Sequence, residues 1–137
     1  MKFLRDLAAS LLFGIGWIGL ISSVMAHLGV WPEFAYGVRP FPQDLKAYII
    51  FACILAPLWE EAIFRYGLFS FFPQVKTLPK IIVSSIIFGL MHKSSIPAHG
   101  LLIQGVLGIV FAVMYIRYGY KGSVVTHSLW NLFCLIL

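Results

Sequence analysis

Long apolar stretches, separated by short clusters of proline, glycine and basic residues, run the length of the chain. At about 20 residues per membrane-crossing helix, they predict an all-α, polytopic transmembrane helix bundle of about five spans. The first runs from about Leu7 to Leu28, behind Lys2 and Arg5. Pro32, Pro40 and Pro42 then break helical structure in a loop from Val30 to Lys46. A second span runs from about Leu45 to Phe72, and Pro73 and Pro79 bracket a short loop holding Lys76 and Lys80. A third runs from Ile81 to about His92, followed by a turn from Lys93 to His99 that contains Pro97. A fourth spans about Gly100 to Tyr118. A tight turn at Gly119-Tyr120-Lys121-Gly122 leads into a short fifth span, from near Ser123 to Leu137.

Composition sharpens this picture. The 137 residues are 61% hydrophobic and 11% charged, with a mean hydropathy of +0.93, against about 25% charge in a soluble domain. The length suits one membrane-embedded domain, residues 1–137, and leaves none for a soluble catalytic domain, so any chemistry belongs in the bundle or at its rim. Within it, residues 1–44 supply the first span and an outer loop, and residues 45–137 carry the polar motifs. The net charge of +5 sits in the short loops, the topogenic pattern of a multi-pass protein surrounded by membrane lipid, and does not point to nucleic acid. Lys2, Arg5, Lys76, Lys80, Arg117 and Lys121 fall on one side, and Arg39, Lys46 and Lys93 on the other. The positive-inside rule then puts the N-terminus in the cytoplasm. Val24-Met25-Ala26 resembles a signal-peptide cleavage site, but the apolar core before it exceeds the roughly 7–15 residues of such segments, which favours a retained first helix. Cys53 and Cys134 lie in apolar runs and read as small buried hydrophobes. Gly105, Gly108 and Ala112 would let helices approach closely, or are simply tolerated in lipid.

Against this background the polar residues stand out. Two of the chain's five acidic residues, Glu60 and Glu61, lie side by side in the second span. A charge at membrane depth costs several kcal/mol by most estimates and faces a bundle interior or a polar cavity. Glu61 and Arg65 stand at i and i+4 on one helix face, where each can neutralise the other. Glu60 points away and has no local cation, as suits a general base. Pro57, one turn earlier, removes a backbone hydrogen bond and can kink the helix. The plainer alternative is that both glutamates serve only as ion pairs holding the bundle together.

Phe88-x-x-x-His92 and His127-x-x-x-Asn131 each place two residues one turn apart on one face. A single histidine in a membrane helix is more often a structural hydrogen bonder than a catalyst. Here, however, the polar groups of three spans have only each other as partners. Counted from the cytoplasmic ends, Glu60 and His92 each lie roughly 18 Å deep but His127 only roughly 9 Å, so the fifth helix must tilt or start deeper. His27 and His99 read as interfacial. Trp17, Trp31, Tyr36, Tyr118 and Tyr120 cluster near span ends as an aromatic belt would.

Glu-Glu-x-x-x-Arg, Phe-x-x-x-His and His-x-x-x-Asn, in that order on successive spans, resemble the CPBP family of intramembrane proteases, which includes the type II CAAX prenyl endopeptidases and bacteriocin-processing and self-immunity proteins. The resemblance covers Glu60 to Asn131. It implies Glu60 as catalytic glutamate, His92 as its partner, His127 and Asn131 as stabilisers of the tetrahedral intermediate, and Glu61, Arg65 and Phe88 in support. It also implies a protease core over residues 45–137 and a place in a bacterial cytoplasmic membrane. The chain is shorter than the larger members, which suits a leader peptide or sorting tail at least as well as a CAAX C-terminus.

The expected activity is intramembrane endopeptidase hydrolysis of a membrane-associated peptide or protein by a Glu/His-activated water. No serine nucleophile is implied, since Ser128 points about 100° from His127 at helical pitch. No cofactor is required in that version. Glu60, His92 and His127 would also make a zinc triad with a fourth position for water, although the usual His-Glu-x-x-His pattern is missing. Two rivals differ in class: a non-catalytic immunity or scaffold protein that binds a peptide or partner with the same polar core, and a proton-coupled transporter, against which the lack of an inverted repeat argues.

Overall fold

The computed structural model describes residues 1–29, 44–92 and 99–135. Among them every regular element is helical. Lys2–His27, Leu45–Phe71 and Gly100–Phe133 are long and apolar enough to cross a membrane, and Thr77–Met91 is a shorter apolar helix. The protein is therefore an integral membrane, all-α polytopic bundle. Helix α1 is Lys2–His27, α2 is Leu45–Phe71 and α3 is Thr77–Met91. The loop around Pro32, Pro40 and Pro42, with Trp31, Tyr36 and Arg39, the turn holding Lys93 and Pro97, and the predicted end of the last span at Leu137 lie outside the described residues.

The run Gly100–Phe133 does not cross as one rod. Straight, it would measure roughly 50 Å, far beyond a hydrocarbon core of about 30 Å. Gly119, at φ 69 and ψ −168, occupies a backbone region almost confined to glycine. The rings of Phe111 and His127 stack with centroids 4.3 Å apart, where a straight helix would hold them roughly 24 Å apart. The chain therefore reverses at Gly119 into an antiparallel pair, α4 (residues 100–118) and α5 (residues 120–133). The predicted four-residue turn is concentrated in one glycine, so His127 lies roughly 12 Å of helix from the reversal. Gly119→Ala is expected to destabilise the protein by about 1–3 kcal/mol and to displace His127. Unfolding in sodium dodecyl sulfate checks the first effect, and a melt unchanged from wild type would contradict it.

Helix α3 starts at Thr77, not Ile81, because Pro79 falls in its first turn, where a missing N–H has no helical partner to lose. Lys80 is then helical and buried rather than in a loop. Its Nζ donates to the Phe69 carbonyl at 3.0 Å, filling an acceptor in the last turn of α2. Helices α3 and α4 meet backbone to backbone. A Cβ on Gly89 would stand 2.8 Å from the Gly100 carbonyl oxygen and 3.0 Å from the Gly105 Cα. A Cβ on Gly108 would press on Ser85 and Phe88 of α3 and on Arg65. Helix α1 packs on α4 and α5, with Gly14 beneath Trp130 and Leu107 and the Trp17 indole N–H donating to the Leu102 carbonyl. The apolar core gathers Ile21, Phe88, Ile103, Leu107, Phe111 and Trp130.

Candidate functional site

Helix α2 is not uniformly wound. Ile49–Leu55 and Ala62–Gly67 form wider π turns on either side of the α-helical Ala56–Glu61. Such insertions occur often at functional sites, and here one has a visible cause. The Ala56 N–H reaches back to the Phe51 carbonyl, and Pro57, the next residue, has no N–H to give. The Ala52 carbonyl is thereby left without a helical donor. Asn131 supplies one, its Nδ2 donating to Ala52 O at 2.7 Å, while Tyr48 Oη donates to the Asn131 carbonyl at 3.3 Å. Asn131 therefore ties α5 to α2. The family resemblance implies a role for Asn131 at the tetrahedral intermediate; part of its amide is taken up by the helix defect that precedes Glu60.

Glu61 and Arg65 lie fully buried, Nε to Oε2 at 3.4 Å. The Arg65 guanidinium also donates to the Gly108 carbonyl at 3.0 Å and sits 4.8 Å from the Phe88 ring centroid, a cation–π contact. Glu61 is further held by the Ser123 hydroxyl and, through Oε1, by His127 Nδ1 at 2.9 Å. The Ser123 hydroxyl stands between Glu61 Oε2 and the Phe111 carbonyl; with one hydrogen, it donates to one of them at a time. Ser123 and Phe111 were missed in the sequence. Folding the fourth and fifth spans about Gly119 would have put Phe111 level with His127, eight residues away on either side, and brought Ser123 near on the same seam.

Each histidine is oriented through its Nδ1. His92 Nδ1 lies 2.8 Å from the Phe88 carbonyl one turn back, and the His127 Nδ1 faces Glu61. A carbonyl only accepts, and an ionised carboxylate only accepts, so the Nδ1 atoms carry the protons and the Nε2 atoms face inward. Both Nε2 atoms approach the same carboxylate oxygen: Glu60 Oε2 lies 3.9 Å from His92 Nε2 and 3.7 Å from His127 Nε2. Phe88 stands edge-on to His127 at 5.6 Å and tilted over His92 at 4.5 Å, while Phe111 stacks on His127. Glu60 and His92 are about one third exposed and His127 4%, so the cluster opens on one side and is walled on the other. Glu60 Oε2 itself is buried and accepts no direct hydrogen bond from the described residues.

The fold thus gathers Glu60, Glu61, Arg65, Phe88, His92 and His127 from α2, α3 and α5, with Asn131 one turn beyond His127. His99 is half-buried at the start of α4. Among the described residues no three His, Cys, Asp or Glu side chains form a group with metal-holding geometry.

The profile described as type II CAAX prenyl endopeptidase Rce1-like matches residues 42–133, more than half the chain and the whole of the cluster. The protein named "UPF0177 protein YaiH" of Lactococcus lactis subsp. lactis (strain IL1403) is 38% identical over 95 residues, covering 69% of this chain and 36% of that protein. "Putative membrane peptidase YdiL" of Bacillus subtilis (strain 168) is 29% identical over 107 residues, covering 77% of this chain and 43% of that protein. The chain thus spans less than half the length of either curated relative. No solved structure matches.

Proposed function

The chain belongs to the Rce1-like family of type II CAAX prenyl endopeptidases, the CPBP proteases that its motifs resemble, and on that footing we propose that it is an intramembrane endopeptidase whose nucleophile is a water activated by Glu60. The supporting observation is the placement of one carboxylate oxygen 3.9 and 3.7 Å from two inward Nε2 atoms. These gaps are too long for direct hydrogen bonds and suit a shared water.

In this reading Glu60 Oε2 takes a proton from that water as its oxygen attacks the scissile carbonyl. The water's oxygen bonds the carbonyl carbon, and the carbonyl π pair moves onto oxygen. His92, held by the Phe88 carbonyl, keeps the water aligned. His127, anchored by Glu61 through Nδ1, presents Nε2 to the reacting carbonyl. Protonated, it donates to the developing oxyanion, and a donor of this kind contributes about 2.7–4 kcal/mol. The remaining Asn131 N–H joins it. Collapse of the tetrahedral intermediate breaks the C–N bond, and Glu60 returns its proton to the leaving amine. Glu61 and Arg65 position His127 without touching substrate.

The substrate class is a membrane-associated peptide or protein: a leader, a sorting tail or a CAAX-like C-terminus. Mass spectrometry of membrane peptides from cells carrying wild type or Glu60→Gln tests this. New C-termini are expected only with wild type, and matching peptide profiles would contradict the proposal. A zinc-bound water at Glu60, His92 and His127 would change how the nucleophile is made. Protein stripped with a chelator is expected to keep its activity. Full loss that is restored by zinc would transfer activation of the water to a metal.

A further inference from the structure

Away from the polar cluster, α1 and α4 leave a crevice of about 330 Å³ between them, at the small end of ligand-binding cavities. Its origin is steric. At one end α1 is drawn onto the bundle by Gly14 against Trp130 and Leu107. At the other, Asp6 binds Arg117 and Tyr118, and the Phe3 ring meets Tyr118 edge-on at 5.0 Å. Between these two clamps α1 presents Ala9 and Ser10, too small to reach Val110 and Val113 of α4. The gap faces outward along two helices of membrane-crossing length. A void here would forfeit dispersion contacts on both walls.

The mouth of the crevice is cationic. Asp6 is shared between Arg117 and Arg5, whose Nε lies 3.3 Å from Oδ1. Two guanidinium groups on one carboxylate leave a net positive charge, and both side chains stay well exposed, at 72% and 56%. Lys2, also exposed, stands one turn before Asp6. Cations at a helix end, above a slot lined with methyl groups, match the order of parts in a lipid: an anionic head, then an apolar tail.

We propose that α1 and α4 hold one acyl chain of an anionic phospholipid in this crevice, with its phosphate at Arg5 and Arg117. Bound there, the lipid completes the α1–α4 contact, independently of the chemistry at Glu60.

The test is native mass spectrometry of the full chain released from nanodiscs of mixed phosphatidylglycerol and phosphatidylcholine. Wild type is expected to retain one phosphatidylglycerol in preference to phosphatidylcholine. Ala9→Phe, which fills the slot, is expected to lose the retained lipid, whereas Ile82→Phe, on an exposed face of α3, keeps it. Arg5→Gln and Lys2→Gln are each expected to reduce the phosphatidylglycerol preference roughly fivefold, as a juxtamembrane cation contributes about 1 kcal/mol toward an anionic surface. Thermal melts identify any variant that fails to fold, and Ser10→Leu replaces Ala9→Phe in that event. Equal retention by the filled variant, no headgroup preference in wild type, or displacement of the phospholipid by a free isoprenyl chain or a second copy of the protein would each overturn the proposal.

Discussion

Glu60→Gln is expected to lower turnover by about 10²–10⁴-fold, the usual contribution of a positioned general base, and to leave the melting behaviour unchanged. The amide matches the carboxylate in size, and the side chain is 29% exposed, so no packing is lost. What disappears is the ability of Oε2 to take a proton from a water shared with His92 and His127. The same variant separates a hydrolase from a binding protein: an immunity or scaffold protein using this cluster to grip a peptide would keep most of its affinity and its phenotype. Glu60→Gln retaining more than about a tenth of wild-type turnover would remove the carboxylate from the reaction.

The largest stability effect is expected from Arg65→Met. Arg65 and Glu61 are both fully buried, and removing one partner leaves the other as an uncompensated charge, at about 3–5 kcal/mol. Glu61 retains the Ser123 hydroxyl and His127 Nδ1, which orient the carboxylate but do not match its charge as a guanidinium does. The double variant Glu61→Gln/Arg65→Met should recover most of the lost stability, since Arg65 Nε and Nη1 lack well-formed hydrogen bonds in wild type and such pairs are often replaceable by apolar groups. It should not recover activity, because an amide at position 61 can turn its NH2 as well as its oxygen toward His127 and so no longer fixes one tautomer. Equilibrium unfolding in mixed detergent micelles measures both effects. A single variant within about 1 kcal/mol of wild type would mean that water reaches the pair.

Much of the arrangement was legible in the sequence because it rests on helical periodicity. The i, i+4 spacing of Glu61 and Arg65 became a buried ion pair. The same spacing put the His92 ring over Phe88 and its Nδ1 on the Phe88 carbonyl. Four breaks, at prolines, glycines and basic clusters, marked the ends of the helices to within a turn. The sequence pattern fails where structure departs from that period. The partner of Asn131 depends on a π turn and on the missing N–H of Pro57, which together free the Ala52 carbonyl. Ser123 and Phe111 matter only because the chain reverses at a single residue, Gly119. The shallow depth expected of His127 had the same cause. The turn was placed too late in the chain, and the wide turns of Ala62–Gly67 rise less per residue than the α-helix assumed below Glu60.

The central claim is that a carboxylate and two imidazoles from three helices share one site within the membrane. Solid-state NMR in lipid bilayers, with ¹³C at the Glu60 carboxyl and ¹⁵N in the histidine rings, measures this without knowledge of any substrate. Strong dipolar dephasing of the Glu60 carboxyl by the Nε2 atoms of both His92 and His127 is expected, with dephasing by each lost in its His→Gln variant. A Glu60 carboxyl coupled to neither ring would contradict the claim and, with it, the hydrolytic mechanism.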